Sequence, residues 1–201
     1  MSKISISMGN EKIGKIPSFS MPPVASCNSA AVCGDGECGS YCYALNLYRR
    51  FPNVRAAYDR NFEMWKNSPS EVIAQLDSFF NSERPNLFRW FVSGDIPDQL
   101  FLTHMIRFAK RYPEIRFLTY TKRDILIASA YPYIESLGNL SIILSDGKNW
   151  HPMNPYGMPV AFVDESGEHS YSGEFCECKV QCSKCKKCFN PLTKNVVFRK
   201  H

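Results

Sequence analysis

Apolar residues recur at helical spacing through several segments after residue 42. Spacings of three and four residues place such side chains on one face of a helix. Ser68-Pro69-Ser70-Glu71 adds a start signal, with Ser68 as N-cap, Pro69 in the first turn and Glu71 at the capping-box position. The pattern predicts helices from Tyr43, after Pro52-Asn53, from Ser68, from about Pro97 to Arg111 and from Asp124 to about Leu137.

Short apolar runs alternate with the later helices and predict strands at residues 87–92, 115–120, 140–145 and 159–163. Residues 1–26, with Pro17, Pro22 and Pro23, predict an irregular or extended lead-in. Strands that alternate with helices are typical of a parallel sheet with crossover helices. A full eight-stranded barrel takes about 250 residues, and this chain has 201. The predicted fold is therefore α/β, as a partial (open) β/α barrel or a short parallel sheet, in a domain of residues 1–164.

Polar residues follow each predicted strand. In parallel α/β folds the carboxyl ends of the strands carry the binding site. Asp95 is interpreted either as a cofactor-binding acid or as the N-cap of the next helix. Ser145 and Asp146 either face a ribose or form an Asx-turn before Gly147. The strand-end candidates are Ser93, Gly94, Asp95, Thr121, Lys122, Arg123, Ser145, Asp146, Asp164 and Glu165.

Nine cysteines fall into two groups, an N-terminal loop and a lysine-rich tail predicted as an appendage of residues 165–201 outside the sheet. With 44% hydrophobic residues the chain does not need disulfides to fold. The N-terminus has no apolar run of signal-peptide length, so a cytoplasmic, reducing location is expected. Clustered thiols there bind metal more often than each other. The loop contains Cys27, Cys33, Cys38 and Cys42, and the tail contains Cys176, Cys178, Cys182, Cys185 and Cys188.

The spacing within each group indicates metal binding. Cys182, Cys185 and Cys188 form a C-x2-C-x2-C run, as in ferredoxins that bind a [4Fe-4S] cluster. Zinc is the alternative in the tail if Cys176 or Cys178 supplies a further ligand. The glycine-rich N-terminal loop either contributes four cysteine ligands to a cluster or contributes three and leaves one iron open.

The net charge of +5 permits a nucleic-acid partner without requiring one. No apolar run reaches the length of about eighteen residues that a membrane helix needs, so no membrane partner is expected. The oligomeric state is not indicated.

Several short motifs resemble those of known families. Tyr41-Cys42, an aromatic residue before the last cysteine of the loop, resembles the cluster loop of radical S-adenosylmethionine enzymes. Ser93-Gly94-Asp95-Ile96-Pro97 is similar to their Gly-Gly-Glu-Pro segment. Cys-Tyr-Ala, Phe-Val-Ser-Gly-Asp and Leu-Thr-Tyr-Thr-Lys-Arg, together with the cysteine-rich tail, resemble small bacteriophage proteins of the gene product 88 type.

The resemblance implies a [4Fe-4S] cluster on the N-terminal loop and S-adenosylmethionine as a small-molecule cofactor. It places Tyr41 at the cluster, Ser93, Gly94 and Asp95 at the methionine amino group, and Ser145 or Asp146 nearer the ribose. It also implies the host cytoplasm as location and a nucleic acid or a protein as substrate. The cysteine gaps are each one residue longer than in that superfamily and Asp95 replaces glutamate, so cluster binding is favoured over cofactor binding.

Three functions therefore stay open. The first is a radical S-adenosylmethionine-like enzyme, and the second is a non-catalytic or electron-transferring iron–sulfur protein. The third is a zinc-stabilised protein that binds nucleic acid through the lysines of the tail.

Overall fold

A computed structural model of the chain describes residues 2–27, 42–147, 150–164, 174–175 and 181–199. The strands are β1 (Ile6–Ser7), β2 (Ser18–Phe19), β3 (Leu87–Trp90), β4 (Arg116–Thr121), β5 (Leu140–Ser145), β6 (Val160–Asp164), β7 (Glu174–Phe175) and β8 (Val196–Arg199). The helices are α1 (Tyr43–Arg50), α2 (Pro52–Asn67), α3 (Pro69–Glu83), α4 (Gln99–Arg111), α5 (Asp124–Ile134) and α6 (Cys182–Cys185), and a short 3-10 helix follows at Lys187–Phe189.

Within these residues, eight strands form one sheet in the order β1-β2-β3-β4-β5-β6-β8-β7. β1 pairs antiparallel with β2, and the other neighbouring pairs are parallel. Helices connect β2 to β3, β3 to β4 and β4 to β5. A mixed α/β fold with a mostly parallel sheet is thereby confirmed. From β2 to β6 the strand order follows the chain, and β1 and β7 remain as open edges in the described part.

One face of the sheet packs against the helices through a core rich in aromatic rings. Trp90 lies nearly parallel to Phe117, with ring centroids 5.9 Å apart, and Phe80 meets the edge of Phe88 at 4.8 Å. Burying each such side chain stabilises the fold by about 1.5–3 kcal/mol. Trp90, Phe91 and Phe117, which lie in the predicted strands at 87–92 and 115–120, are all buried in this core.

The opposite face, called the second face below, carries a smaller apolar cluster. Leu118 of β4 and Ile143 of β5 are covered by Ile13, Ile16 and Phe189. Two segments far apart in sequence therefore close this side of the sheet, one before β2 and one after α6.

The tail differs from its prediction. β8 pairs with β6 over four registered residue pairs, from Ala161–Val196 to Asp164–Arg199. The expectation that the segment after residue 164 lies outside the sheet is therefore wrong for β8. The apolar part of β8 is short, at Val196, Val197 and Phe198. It becomes a strand because it pairs with β6, a segment more than thirty residues earlier in the chain.

The structure specifies the lead-in and two helix starts in more detail. In the lead-in, β1 and β2 are extended, which agrees with one of the two predicted alternatives for residues 1–26, and Phe19 is fully buried in the helix-side core. Ser68 occupies the N-cap position of α3, but its side chain makes no capping hydrogen bond. The N-cap of α4 is Asp98, whose side chain accepts from the Phe101 N–H at 2.8 Å, and not Asp95. In the described ranges, no helix has both the length and the apolar character to cross a membrane.

Candidate functional site

The carboxyl ends of β3, β4 and β5 meet at one edge of the sheet, because these strands are parallel neighbours. Residues 93–95 follow β3, residues 121–123 end and follow β4, and Asp146 follows β5. The residues that interact there form what we call the strand-end site. Its members are Asp95, Thr121, Lys122, Asp146, Trp150 and His151.

Asp95 is buried at the centre of this edge, with 6% of its surface exposed. Its Oδ1 accepts hydrogen bonds from the Thr121 hydroxyl and the Ile96 N–H, both at 2.7 Å. Its Oδ2 accepts from the Lys122 N–H at 2.9 Å. Burial raises the pKa of Asp95 above its ordinary value of 3.8, although each of these hydrogen bonds acts to lower it. Asp95 therefore ties the end of β3 to the end of β4, and its role toward a cofactor stays a prediction.

Lys122 and Asp146 link the end of β4 to the end of β5. The Lys122 ammonium donates to the backbone carbonyl of Asp146 at 3.1 Å and lies 5.8 Å from the centre of the Trp150 ring. The Asp146 carboxylate contacts Nδ1 of His151 at 2.7 Å. The Asp146 side chain is 12% exposed and that of His151 is 65% exposed. Asp146 thus orients the imidazole and leaves its outer edge toward solvent.

The sequence interpretation missed this pairing. It places Asp146 at a ribose or in a turn and does not include His151 among the candidate site residues. The two residues are five positions apart, and only the loop after β5 brings them together. Ser145 is half-buried at the end of β5, and its role, like that of Asp146 toward a ribose, stays a prediction.

Gly94 packs closely against the loop that follows β2. Its φ is +78°, and a Cβ built there would lie 2.3 Å from the Ser26 hydroxyl oxygen and 2.9 Å from the Met21 carbonyl oxygen. Ser26 is held in place because its hydroxyl donates to the Pro22 carbonyl at 2.7 Å. Only glycine combines this backbone conformation with so close an approach.

Both ends of the N-terminal cysteine loop are anchored near this glycine. At one end, Cys27 follows Ser26 directly, and its N–H donates to the Val24 carbonyl at 3.2 Å. At the other end, Cys42 precedes α1, and the hydroxyl of Tyr43 donates to the Val92 carbonyl at 2.9 Å. Cys27 and Cys42 are both half-buried. The predicted site residues Cys33, Cys38 and Tyr41 lie outside the described residues.

Ser93, between Val92 and Gly94, is 5% exposed. Its hydroxyl has no hydrogen-bond partner among the described residues. A buried hydroxyl without a partner costs about 1–3 kcal/mol. A polar group therefore remains available beside the anchored ends of the cysteine loop.

Two of the tail cysteines, Cys182 and Cys188, lie against the second face. The Cys182 N–H donates to the Lys12 carbonyl at 3.2 Å, and Cys182 and Cys188 pack against the cluster that contains Leu118 and Ile143. Cys182, Cys185 and Cys188 are half-buried, whereas Cys176 and Cys178 lie outside the described residues. In the part of the chain that the structure covers, no three cysteine, histidine, aspartate or glutamate side chains form a group able to hold a metal ion.

The fold and the strand-end site define an α/β protein with a mostly parallel sheet and polar residues clustered at its carboxyl edge. A family model described as gene product 88 matches residues 3–176. The chain belongs to this family of phage gene products. The match includes the cysteine loop and the strand ends and stops before Cys182. No curated protein and no solved structure matches the chain.

Proposed function

We propose that this protein binds an iron–sulfur cluster through the N-terminal cysteine loop, with Cys27, Cys33, Cys38 and Cys42 as the ligand set. The observation that carries the proposal is the anchoring of both loop ends. Ser26 packs on Gly94 beside Cys27, and Tyr43 bonds to Val92 beside Cys42. Cys27 and Cys42, the described residues of this set, therefore lie beside the end of β3, at the edge of the sheet where α/β proteins hold their ligands.

The described residues fit such a group. Cys27 and Cys42 are half-buried thiols, and partial burial protects a thiolate–iron bond from solvent while leaving it open to a substrate. The Ser93 hydroxyl, buried and without a partner among the residues that the structure describes, supplies a donor of the kind that tunes a cluster from its surroundings. When bound, a cluster of this kind supplies one-electron transfer. Thiol-ligated iron also fits the reducing cytoplasm of a phage host.

S-adenosylmethionine is the small molecule that the sequence resemblance implies, and it remains part of the proposal. Both carboxylate oxygens of Asp95 already accept hydrogen bonds from the protein. The ammonium group of S-adenosylmethionine would therefore have to share the Asp95 carboxylate with hydrogen bonds that are already formed. This favours weak cofactor binding or an electron-transfer role for the protein. Adding S-adenosylmethionine to the dithionite-reduced protein and measuring 5′-deoxyadenosine separates the two roles.

The tail thiols form a separate part of the proposal. Cys182, Cys185 and Cys188, with Cys176 or Cys178, are proposed to hold a second cluster or a zinc ion. Lys184, Lys186 and Lys187 beside them are the groups that a nucleic acid would contact. Element analysis distinguishes the two metals.

The experiment compares two single variants of the full chain, purified without oxygen. Cys42→Ser removes a loop thiol, and Cys185→Ser is the matched control in the tail. We expect Cys42→Ser to lose the iron of one cluster and Cys185→Ser to keep the loop cluster. Iron content that is unchanged in Cys42→Ser would show that the loop does not hold the cluster.

A further inference from the structure

We propose that Arg89 forms an oxyanion-binding site on the second face of the sheet, for the carboxylate or phosphate group of a small molecule. The inference does not depend on the cluster proposed above. It rests on the position of the Arg89 guanidinium on β3, on its contact with the Tyr120 ring and on an Nε that has no partner among the described residues.

The Arg89 side chain lies on the second face of the sheet. Phe88 and Trp90 belong to the helix-side core, so Arg89 between them points to the opposite side. The strand register places Arg89 beside Leu118, and Leu118 beside Ser141, in one row across three strands. Leu118 is part of the apolar cluster on the second face.

The Arg89 guanidinium lies toward the carboxyl ends of the strands. The Arg89 guanidinium lies 4.9 Å from the centre of the Tyr120 ring. Tyr120 is two residues closer to the carboxyl end of β4 than Leu118. The guanidinium therefore reaches toward the edge that carries the strand-end site, above the part of the face that Ile13, Ile16 and Phe189 cover.

The hydrogen-bonding capacity of the Arg89 side chain is incompletely used within the described residues. Arg89 Nε is buried and has no hydrogen-bond partner among the described residues. The ion pairs within those residues are formed by Lys66, Arg111 and His151, and none includes Arg89. The rest of the side chain is partly exposed, and a buried N–H group without a hydrogen-bond partner is unfavourable. The guanidinium stays charged in proteins and therefore favours an anionic acceptor. Its planar donors match a carboxylate or a phosphate with two parallel hydrogen bonds.

A second polar group lies in the same row. The Ser141 hydroxyl is buried and also has no partner among the described residues. Farther along the sheet, Val163 of β6 is 51% exposed on the same face as Ala161. A small molecule entering from the strand ends meets the Tyr120 ring and the Arg89 guanidinium together.

The test uses the full-length protein, the variant Arg89→Met and a matched control, Arg116→Met. Arg116 also lies on a strand, but it is exposed. Melting temperatures are measured in chloride, in inorganic phosphate and in succinate at equal ionic strength, and iron per chain is measured in each sample. We expect phosphate or succinate to raise the melting temperature of the wild type and of Arg116→Met, and to leave Arg89→Met unchanged. In chloride, Arg89→Met should melt no lower than the wild type, because the variant removes a buried Nε–H group that has no partner among the described residues.

A response to phosphate alone or to succinate alone supports the site and identifies its ligand class. Equal stabilisation of Arg89→Met by either anion overturns it, as does a lower melting temperature of Arg89→Met in chloride. Loss of iron in Arg89→Met also overturns it, because Arg89 would then pair with the metal centre. Failure of the cluster proposal shows instead as iron-free wild-type protein with an intact anion response.

Discussion

Replacing Thr121 by Val tests whether Asp95 ties β3 to β4. The Thr121 hydroxyl donates to Asp95 Oδ1 at 2.7 Å and accepts from the Arg123 N–H at 3.0 Å. Valine keeps the shape and removes both hydrogen bonds. Thr119→Val is the matched control, since Thr119 is equally buried on the same strand and, within the described residues, its hydroxyl has a single long hydrogen bond, to the Tyr120 carbonyl at 3.4 Å.

The magnitude follows from the two bonds. A hydrogen bond to a charged acceptor contributes about 1.5–3 kcal/mol, and one between neutral groups about 0.5–1.5 kcal/mol. The added methyl group returns about 0.8 kcal/mol. The expected net loss is about 2.5 kcal/mol of unfolding free energy, or about 5–10 °C in melting temperature for a chain of this size.

The loss should also depend on pH. The pKa of Asp95 is raised in the fold, chiefly by burial, so the native state keeps this proton longer than the unfolded state. The contribution of Asp95 to stability therefore falls as pH rises from about 3.8 through the raised folded pKa. Removing a hydrogen bond that lowers this pKa raises it further, so the deficit of Thr121→Val should grow with pH and level off above the folded pKa.

Urea unfolding of the wild type, Thr121→Val and Thr119→Val at acidic and neutral pH measures both effects. Equal losses in the two variants at neutral pH would refute the reasoning. So would a deficit of Thr121→Val that is larger at acidic pH than at neutral pH.

Two further stability predictions follow from single contacts. Gly94→Ala should be strongly destabilising, because the Gly94 backbone is left-handed and the added Cβ would meet Ser26. Gly138→Ala is the control and should be tolerated, since an added Cβ there would have nothing within 4 Å. Thermal melting compares the two variants, and equal melting temperatures would contradict the close approach at Gly94. Asp98→Ala should cost about 2 kcal/mol, since Asp98 caps α4 and also accepts from the Trp65 indole N–H at 2.8 Å; an unchanged urea midpoint would contradict this.

Local patterns in the sequence predict much of this fold. Apolar spacing locates the helices from Tyr43 to about residue 137, and the polar residues after β3, β4 and β5 do meet at one edge. Such features depend on neighbours in sequence and on the rule that parallel strands end together.

The features that the sequence did not predict depend on distant segments. β8 joins the sheet through β6, which local composition does not encode. Asp95 and Asp98 are both plausible caps by spacing, and only the position of the Thr121 hydroxyl assigns Asp95 to β4. Arg89 did carry a signal, as a charge inside a buried apolar run, but its unpartnered Nε is visible only once the sheet is formed.

The most direct test of the central proposal is the content of iron and acid-labile sulfide per chain in full-length protein purified without oxygen. A [4Fe-4S] cluster on the cysteine loop predicts about four of each for every cluster, together with a paramagnetic resonance signal after reduction with dithionite. A folded, colourless protein that contains neither iron nor sulfide after anaerobic reconstitution would contradict the proposal.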